Sequence, residues 1–168
     1  MVKPNYLIFT ISLLITLSCE KDAGDFRLSC FEIPKIEGYI LRSLDGTYLG
    51  EVGTPNRKNI DYSTGYSFVF ASNPAFERFY LSIGSPGGMS TKKMWITMAQ
   101  FGDQLPDYSV DNGMTNMIAG GKPLIQKEFN EDHLDVDVSS LQEGYYRIYL
   151  QIHNVLLYDN LVIYDFNN

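Results

Sequence analysis

The chain has 168 residues, of which 45% are hydrophobic, 14% aromatic and 20% charged, a length that suits one domain and leaves little room for a multidomain enzyme. Its wealth of Tyr, Phe and branched side chains excludes a disordered polymer, and a net charge of −7 excludes nucleic acid as a partner, because phosphates call for a cationic surplus. Two cysteines are too few for a disulfide-dense scaffold or a four-cysteine zinc site.

The chain opens with an address. Lys3 gives a positive start, and positions 6–17 form an uncharged, mostly apolar run. A bilayer-spanning helix needs about 20 apolar residues, so the run is short for an anchor and has the length of a secretory signal's h-region. It ends in Thr16-Leu17-Ser18-Cys19, and the acidic Glu20 and Asp22 follow. Ordinary signal-peptidase cleavage after Thr16 and Ser18 and lipoprotein processing both cut before Cys19; they differ only in whether Cys19 carries lipid.

Ser18 and Cys19 resemble the processing site of a bacterial lipoprotein precursor, in which a small residue precedes the cysteine whose thiol receives diacylglycerol. The run Ser18-Cys19-Glu20-Lys21-Asp22 is similar to starts common among Bacteroidota lipoproteins. That resemblance implies attachment to the outer membrane by palmitate-type acyl chains, on the periplasmic or the cell-surface side. Each buried methylene adds about 0.8 kcal/mol, so one chain holds weakly and two or three hold stably. Losing Lys3 with the signal moves the net charge from −7 to −8, so charge would not draw the mature surface to anionic lipid. Residues 1–18 are thus expected to be a cleaved signal peptide, 19–30 the lipidated cysteine and a tether, and 31–168 the domain. If Cys19 is lipidated, Cys30 is a lone thiol beside Leu28 and Phe31; if not, a Cys19–Cys30 bridge is open to it.

Beyond the tether the sequence predicts short antiparallel strands and no amphipathic helix. Segments 38–43 and 47–52 flank Leu44-Asp45-Gly46, and Asp-Gly is a strong hairpin signal. Strands over 66–71 and 78–83 flank Ser72-Asn73-Pro74, and one over 93–99 follows the Gly84-Ser85-Pro86-Gly87-Gly88 loop. Phe79, Leu81 and Ile83 share one face, as do Met94, Ile96 and Met98, then Leu134, Val136 and Val138, then Tyr146, Ile148, Leu150 and Ile152. Such period-2 alternation marks strands with one side on a core. Segments 155–158 and 161–166 are expected to form a closing hairpin around Asp159-Asn160, and 101–126 is the least regular stretch. About nine strands in roughly 130 residues predict an all-β, Ig-like antiparallel β-sandwich.

Two segments carry a finer resemblance. The run from Asn73-Pro74 through Phe79-Tyr80-Leu81 resembles the Asn-Pro entry and first long strand of type IX secretion C-terminal domains. Val138-Ser139-Ser140-Leu141-Gln142-Glu143-Gly144-Tyr145-Tyr146 is similar to their late turn and strand. The resemblance implies an Ig-like sandwich over 66–168, and not the sorting function.

Chemistry is sparse. No nucleophile elbow, His-Glu-x-x-His or Walker loop occurs. Glu131, Asp132, His133, Asp135 and Asp137 form the one acidic cluster, but strand neighbours two apart sit about 7 Å from each other, too wide for one ion without loop help. A solvated strand face is the expectation, with no metal and no cofactor. Tyr145, Arg147 and Tyr149 alternate with the apolar row of their strand, and Trp95 lies on the polar side of its own. Tyr, Trp and Arg on an exposed sheet are typical contact residues, so these four are the candidate binding surface, against cross-strand packing as the plain alternative. The expected function is a lipid-anchored, non-enzymatic envelope protein making protein–protein contacts at the outer membrane. The alternative is a glycan-binding surface lipoprotein using Tyr145, Tyr149 and Trp95 as stacking groups.

Overall fold

The computed structural model describes residues 33–87, 90–102 and 123–164. The signal segment, Cys19, the tether with Cys30 and most of the irregular 101–126 stretch lie outside the described residues. Among the described residues every regular element is a strand.

Two sheets enclose the core. In the first, β4 (Ser67–Ala71), β5 (Arg78–Gly84) and β9 (His133–Asp137) lie in the order β4-β5-β9. The second runs β11-β10-β6-β8, built from β6 (Lys92–Met98), β8 (Ile125–Phe129), β10 (Gly144–Ile152) and β11 (Val155–Ile163). All pairings in both are antiparallel. The alternating rows face each other between them: Phe68, Phe70, Phe79, Leu81, Ile83 and Val136 from one sheet meet Met94, Ile96, Tyr146, Ile148, Leu150 and Ile152 from the other. Each such burial is worth about 1.5–3 kcal/mol. The chain is an all-β antiparallel sandwich, as the alternation predicts.

A third layer was not expected. The hairpin β2 (Gly38–Arg42) and β3 (Tyr48–Gly53) and the parallel pair β1 (Lys35–Ile36) with β7 (Gln100–Phe101) form two small sheets of their own. The hairpin turns at Leu44-Asp45-Gly46 as the sequence predicts, with the Gly46 N–H donating to the Ser43 carbonyl at 3.0 Å. At its open end two backbones meet so closely that a Cβ on Gly38 would strike the Val52 carbonyl oxygen, and one on Gly53, at φ +67°, the Glu37 carbonyl oxygen.

Two expectations are corrected here. Asp159 and Asn160 do not form a turn: β11 runs straight through them, pairing Asp159 with Ile148 and Asn160 with Arg147. The reversal falls instead at His153-Asn154, where His153 takes φ 53°, between Ile152 and Val155. Asp and Asn are turn formers in isolation, but here both are fully buried and their polar groups are taken by distant residues. The strand β8, which begins at the end of the irregular stretch, is also not predicted by the sequence, because Gln126, Lys127 and Glu128 leave it no apolar alternation.

Candidate functional site

The residues singled out from sequence do come together. Tyr145, Arg147 and Tyr149 lie on the face of the four-stranded sheet turned away from the core, and Tyr149 pairs directly with Trp95 across β10 and β6. The expected exposure is corrected for Trp95 and Tyr149, and Tyr145 and Arg147 are half-buried. Trp95 and Tyr149 are only 7% and 3% exposed, stacked on each other with centroids 5.2 Å apart and planes 11° from parallel. Tyr145 stacks on Phe101 at 4.7 Å and meets Tyr39 at 6.2 Å. Arg147 lies 5.0 Å over the Tyr158 ring, donates through Nη2 to the Lys35 carbonyl at 2.9 Å and through Nε to Asn160 Oδ1 at 3.2 Å. Burial pushes the Tyr149 phenol above its ordinary pKa, against the opposing pull of the Arg147 cation. The third layer accounts for Tyr145 and Arg147, whose ring and donors are taken by β1, β2 and β7, whereas Trp95 and Tyr149 lie against each other, with Tyr158 beside Tyr149.

The acidic cluster is likewise engaged one residue at a time. Asp132 pairs with the buried Lys92 at 2.9 Å and Asp135 with Arg78 at 2.7 Å. Asp137 accepts from the Ser139 N–H and hydroxyl at 3.0 and 2.6 Å, which holds its carboxyl below the usual range. Among the described residues, no three His, Cys, Asp or Glu side chains gather closely enough to hold a metal ion.

The exposed apolar surface lies elsewhere. A groove of about 590 Å³ runs between the β2–β3 hairpin and the connection from β4 to β5, lined by Leu41, Leu44 and Leu49 on one side and Pro74, Phe76 and Tyr80 on the other. Leu44, Leu49 and Tyr80 are 73%, 63% and 55% exposed. Leu49 owes its place to a β-bulge. Leu41 pairs with Gly50 and Arg42 with Tyr48, so Leu49 is the extra residue, outside the register, and bulges re-aim side chains in this way.

The groove's floor is held by polar groups. The backbones of Arg42 and Asn73 exchange two hydrogen bonds at 2.9 and 3.0 Å. The Asn73 amide donates to the Ile40 carbonyl at 2.6 Å and the Asn160 carbonyl at 3.0 Å, and its Oδ1 accepts from the Val162 N–H at 2.9 Å. Asn160 donates to the Gly38 carbonyl at 2.6 Å. Two side-chain amides thus do for the inner edge of β2 what a neighbouring strand would do. Beneath them Arg42 lies over the Phe70 ring at 5.4 Å and pairs with Asp159 at 3.4 Å, with Arg57 at 3.9 Å on the same carboxylate. Burial pushes the Asp159 carboxyl up and the Arg42 guanidinium down, each opposed by the other's charge. Desolvation therefore outweighs pairing, the usual balance for a buried ion pair.

Sequence reasoning missed this groove. Its signals were local and faint: a leucine in a hairpin turn, and Phe76 and Tyr80 on the side of their segment opposite Phe79, Leu81 and Ile83. No protein-family model, curated protein or solved structure matches the chain.

Proposed function

We propose that this chain is a lipid-anchored, non-enzymatic cell-envelope protein that makes protein–protein contacts at the outer membrane, using the groove beside the β2–β3 hairpin. One observation carries the contact: several large apolar side chains line one continuous groove and stay open to water. Contiguous exposed apolar surface, rather than single exposed residues, marks an interaction site. The anchor rests on Cys19 at the end of the apolar run, whose resemblance to a Bacteroidota lipoprotein start motivates the outer-membrane assignment. A protein partner is favoured over a glycan because sugar stacking needs free ring faces, and those of Trp95 and Tyr149 lie against each other.

The test is made in the cells that produce the protein, with a photo-crosslinking residue replacing Leu44, Leu49 or, as control, the 91% exposed Tyr62 in the full chain. The expected result is one discrete envelope-protein adduct from the two groove positions and none from position 62. Equal labelling at all three positions, or none in the groove, rejects the contact. Membrane fractionation checks the anchor separately: Cys19→Ser is expected to leave the membrane fraction, and its retention there would refute lipidation.

A further inference from the structure

The two sheets and the hairpin have six strand edges, and five are guarded, that of β2 by the Asn73 and Asn160 amides. The edge of β11 is covered by chain: Lys58 and Tyr158 exchange backbone hydrogen bonds at 2.9 and 2.8 Å, and the Ala75 N–H donates to the Val162 carbonyl at 2.8 Å. The edge of β4 is met by Asn59, whose carbonyl accepts from the Phe68 N–H at 2.9 Å and whose amide donates to the Phe68 carbonyl at 3.2 Å. The edges of β8 and β9 carry Lys127, Glu128, Asp135 and Asp137, with Lys127 reaching across to the Asp135 carbonyl at 3.4 Å. Charges and covering loops are how proteins keep sheet edges from recruiting other strands.

The edge of β3 has neither guard along most of its length. The Arg42, Ile40 and Gly38 backbone groups point away from β3, toward Asn73 and Asn160. By the alternation of an antiparallel ladder, the N–H and C=O groups of their partners Glu51 and Gly53 point away from β2. Among the described residues these groups meet no backbone partner, and the strand presents Tyr48, Leu49 and Val52 at 61%, 63% and 36% exposure. Gly50 and Gly53 leave the approach free of side chains. Leu49 belongs both to this edge and to the groove, so a strand added along β3 would bring every second side chain onto the groove's face.

We propose that β3 takes an extended segment of a partner protein as an added strand, with an apolar side chain packing on Leu49 at the groove and basic side chains facing Glu51 and Glu77. The unpaired backbone groups call for extended backbone, and the leucines and aromatic rings call for apolar alternate residues. Charge selects the rest. Arg78 is paired with Asp135 and Arg42 with Asp159, which leaves Glu51 on the strand and Glu77 on the groove wall without an ion pair among the described residues. The same acidic balance disfavours a second copy of this chain, since a two-fold pairing about Glu51 sets like charges opposite each other. This inference rests on the contact surface proposed above and specifies how it is engaged.

A seven-residue peptide alternating Val and Lys, capped at both ends, serves as the probe. It is added to the full chain in detergent micelles and amide exchange is followed by NMR. The Glu51 and Gly53 amides are expected to slow about tenfold, the effect of one net hydrogen bond. The same peptide N-methylated at alternate residues should give no slowing. Glu51→Pro removes an N–H that points to solvent, a position where edge strands accept proline, and should abolish the effect. Retained contact between Tyr39 and Val52 verifies that the variant's hairpin is intact, and Glu51→Gln, which keeps the N–H, should weaken binding only a few-fold. No slowing with the unmodified peptide, equal slowing with the methylated one, or self-association through β3 in sedimentation each overturns the proposal. The two readings fail separately. Crosslinked adducts at Leu44 that persist in Glu51→Pro refute strand addition and leave the contact surface standing, whereas no groove adduct in the wild type removes the surface itself.

Discussion

The two faces of the four-stranded sheet both bury side chains, the inner one throughout β10 and the outer one at its centre, and they do so by different means. The inner face carries Tyr146, Ile148, Leu150 and Ile152 against the apolar row of the opposite sheet. The outer face carries Arg147, Tyr149, Tyr158 and Asn160, and is held by stacked rings, a cation over a ring and side-chain amides, while Asp159 continues the inner row at the sheet's edge, where it pairs with Arg42. Apolar packing needs only bulk and shape, so many neighbours can satisfy it. A buried polar group needs a particular partner at a particular distance, and loses heavily without it. One face therefore fixes that the chain folds, and the other fixes where the hairpin sits and hence where the groove lies.

The largest effect should come from the apolar core that the inner face closes against the opposite sheet. Phe79 is fully buried and packs against Phe70 at 5.4 Å, and Phe79→Ala is expected to cost about 4 kcal/mol through the cavity it leaves, read as a fall in denaturation midpoint with every probe moving together. The polar edge of the inner face should answer next. Asp159→Ala strips the carboxylate from Arg42 and Arg57 and leaves a buried cation, an expected loss of about 3 kcal/mol. Here the comparison is sharpened by a double variant. Replacing both partners, Arg42→Met with Asp159→Leu, should recover most of that loss in the same denaturation experiment, because the desolvation penalty disappears with the pair. A double variant as unstable as Asp159→Ala alone would mean that this edge depends on charge rather than on filled volume.

The same contrast explains what could be read in the sequence. The inner face was legible because alternation is a local property: Phe79-Leu81-Ile83 and Tyr146-Ile148-Leu150-Ile152 announce their strands without reference to anything distant. Trp95, Tyr145, Arg147 and Tyr149 were rightly grouped on one face, since the period alone does that, but nothing local says whether a further layer covers them. Asp159-Asn160 misled for the same reason. Their preference for turns is intrinsic, whereas the partners that hold them in a strand, Arg42 and the Gly38 carbonyl, lie more than a hundred positions away. The groove was illegible because it is made by two segments distant in sequence and joined through Asn73.

Asn160 measures the amide contribution. It joins the Gly38 carbonyl, Asn56 and Arg147, and Asn160→Ala should cost about 2 kcal/mol, the penalty of leaving buried groups unsatisfied. The loss should appear first in amide exchange of β2 and β3 and only later in β5 and β10. Exchange rising equally in all strands would erase the distinction between the layers.

The smallest effect separates the regions by pH. Asp45 sits in the β2–β3 turn, where the Ser43 hydroxyl and then the Thr47 N–H, at 3.0 Å, donate to its carboxylate and lower its pKa from 3.8 to about 2. A lowered carboxyl binds fewer protons folded than unfolded, so its support for the turn is present above 3.8 and is lost as the pH falls toward about 2. Asp159 carries the opposite sign: its carboxyl is raised by burial, so acid relieves its penalty while the turn loosens. A global melting curve would mix the two, and carboxyl resonances read one by one would not. The Asp45 signal should titrate near 2 with the Gly46 and Thr47 amides following it, Ser43→Ala should move that midpoint toward 3.8, and the amides of Phe79 and Ile148 should stay still. If those core amides moved with Asp45, the hairpin and the sandwich would be one cooperative unit, and the groove could not be loosened without unfolding the protein.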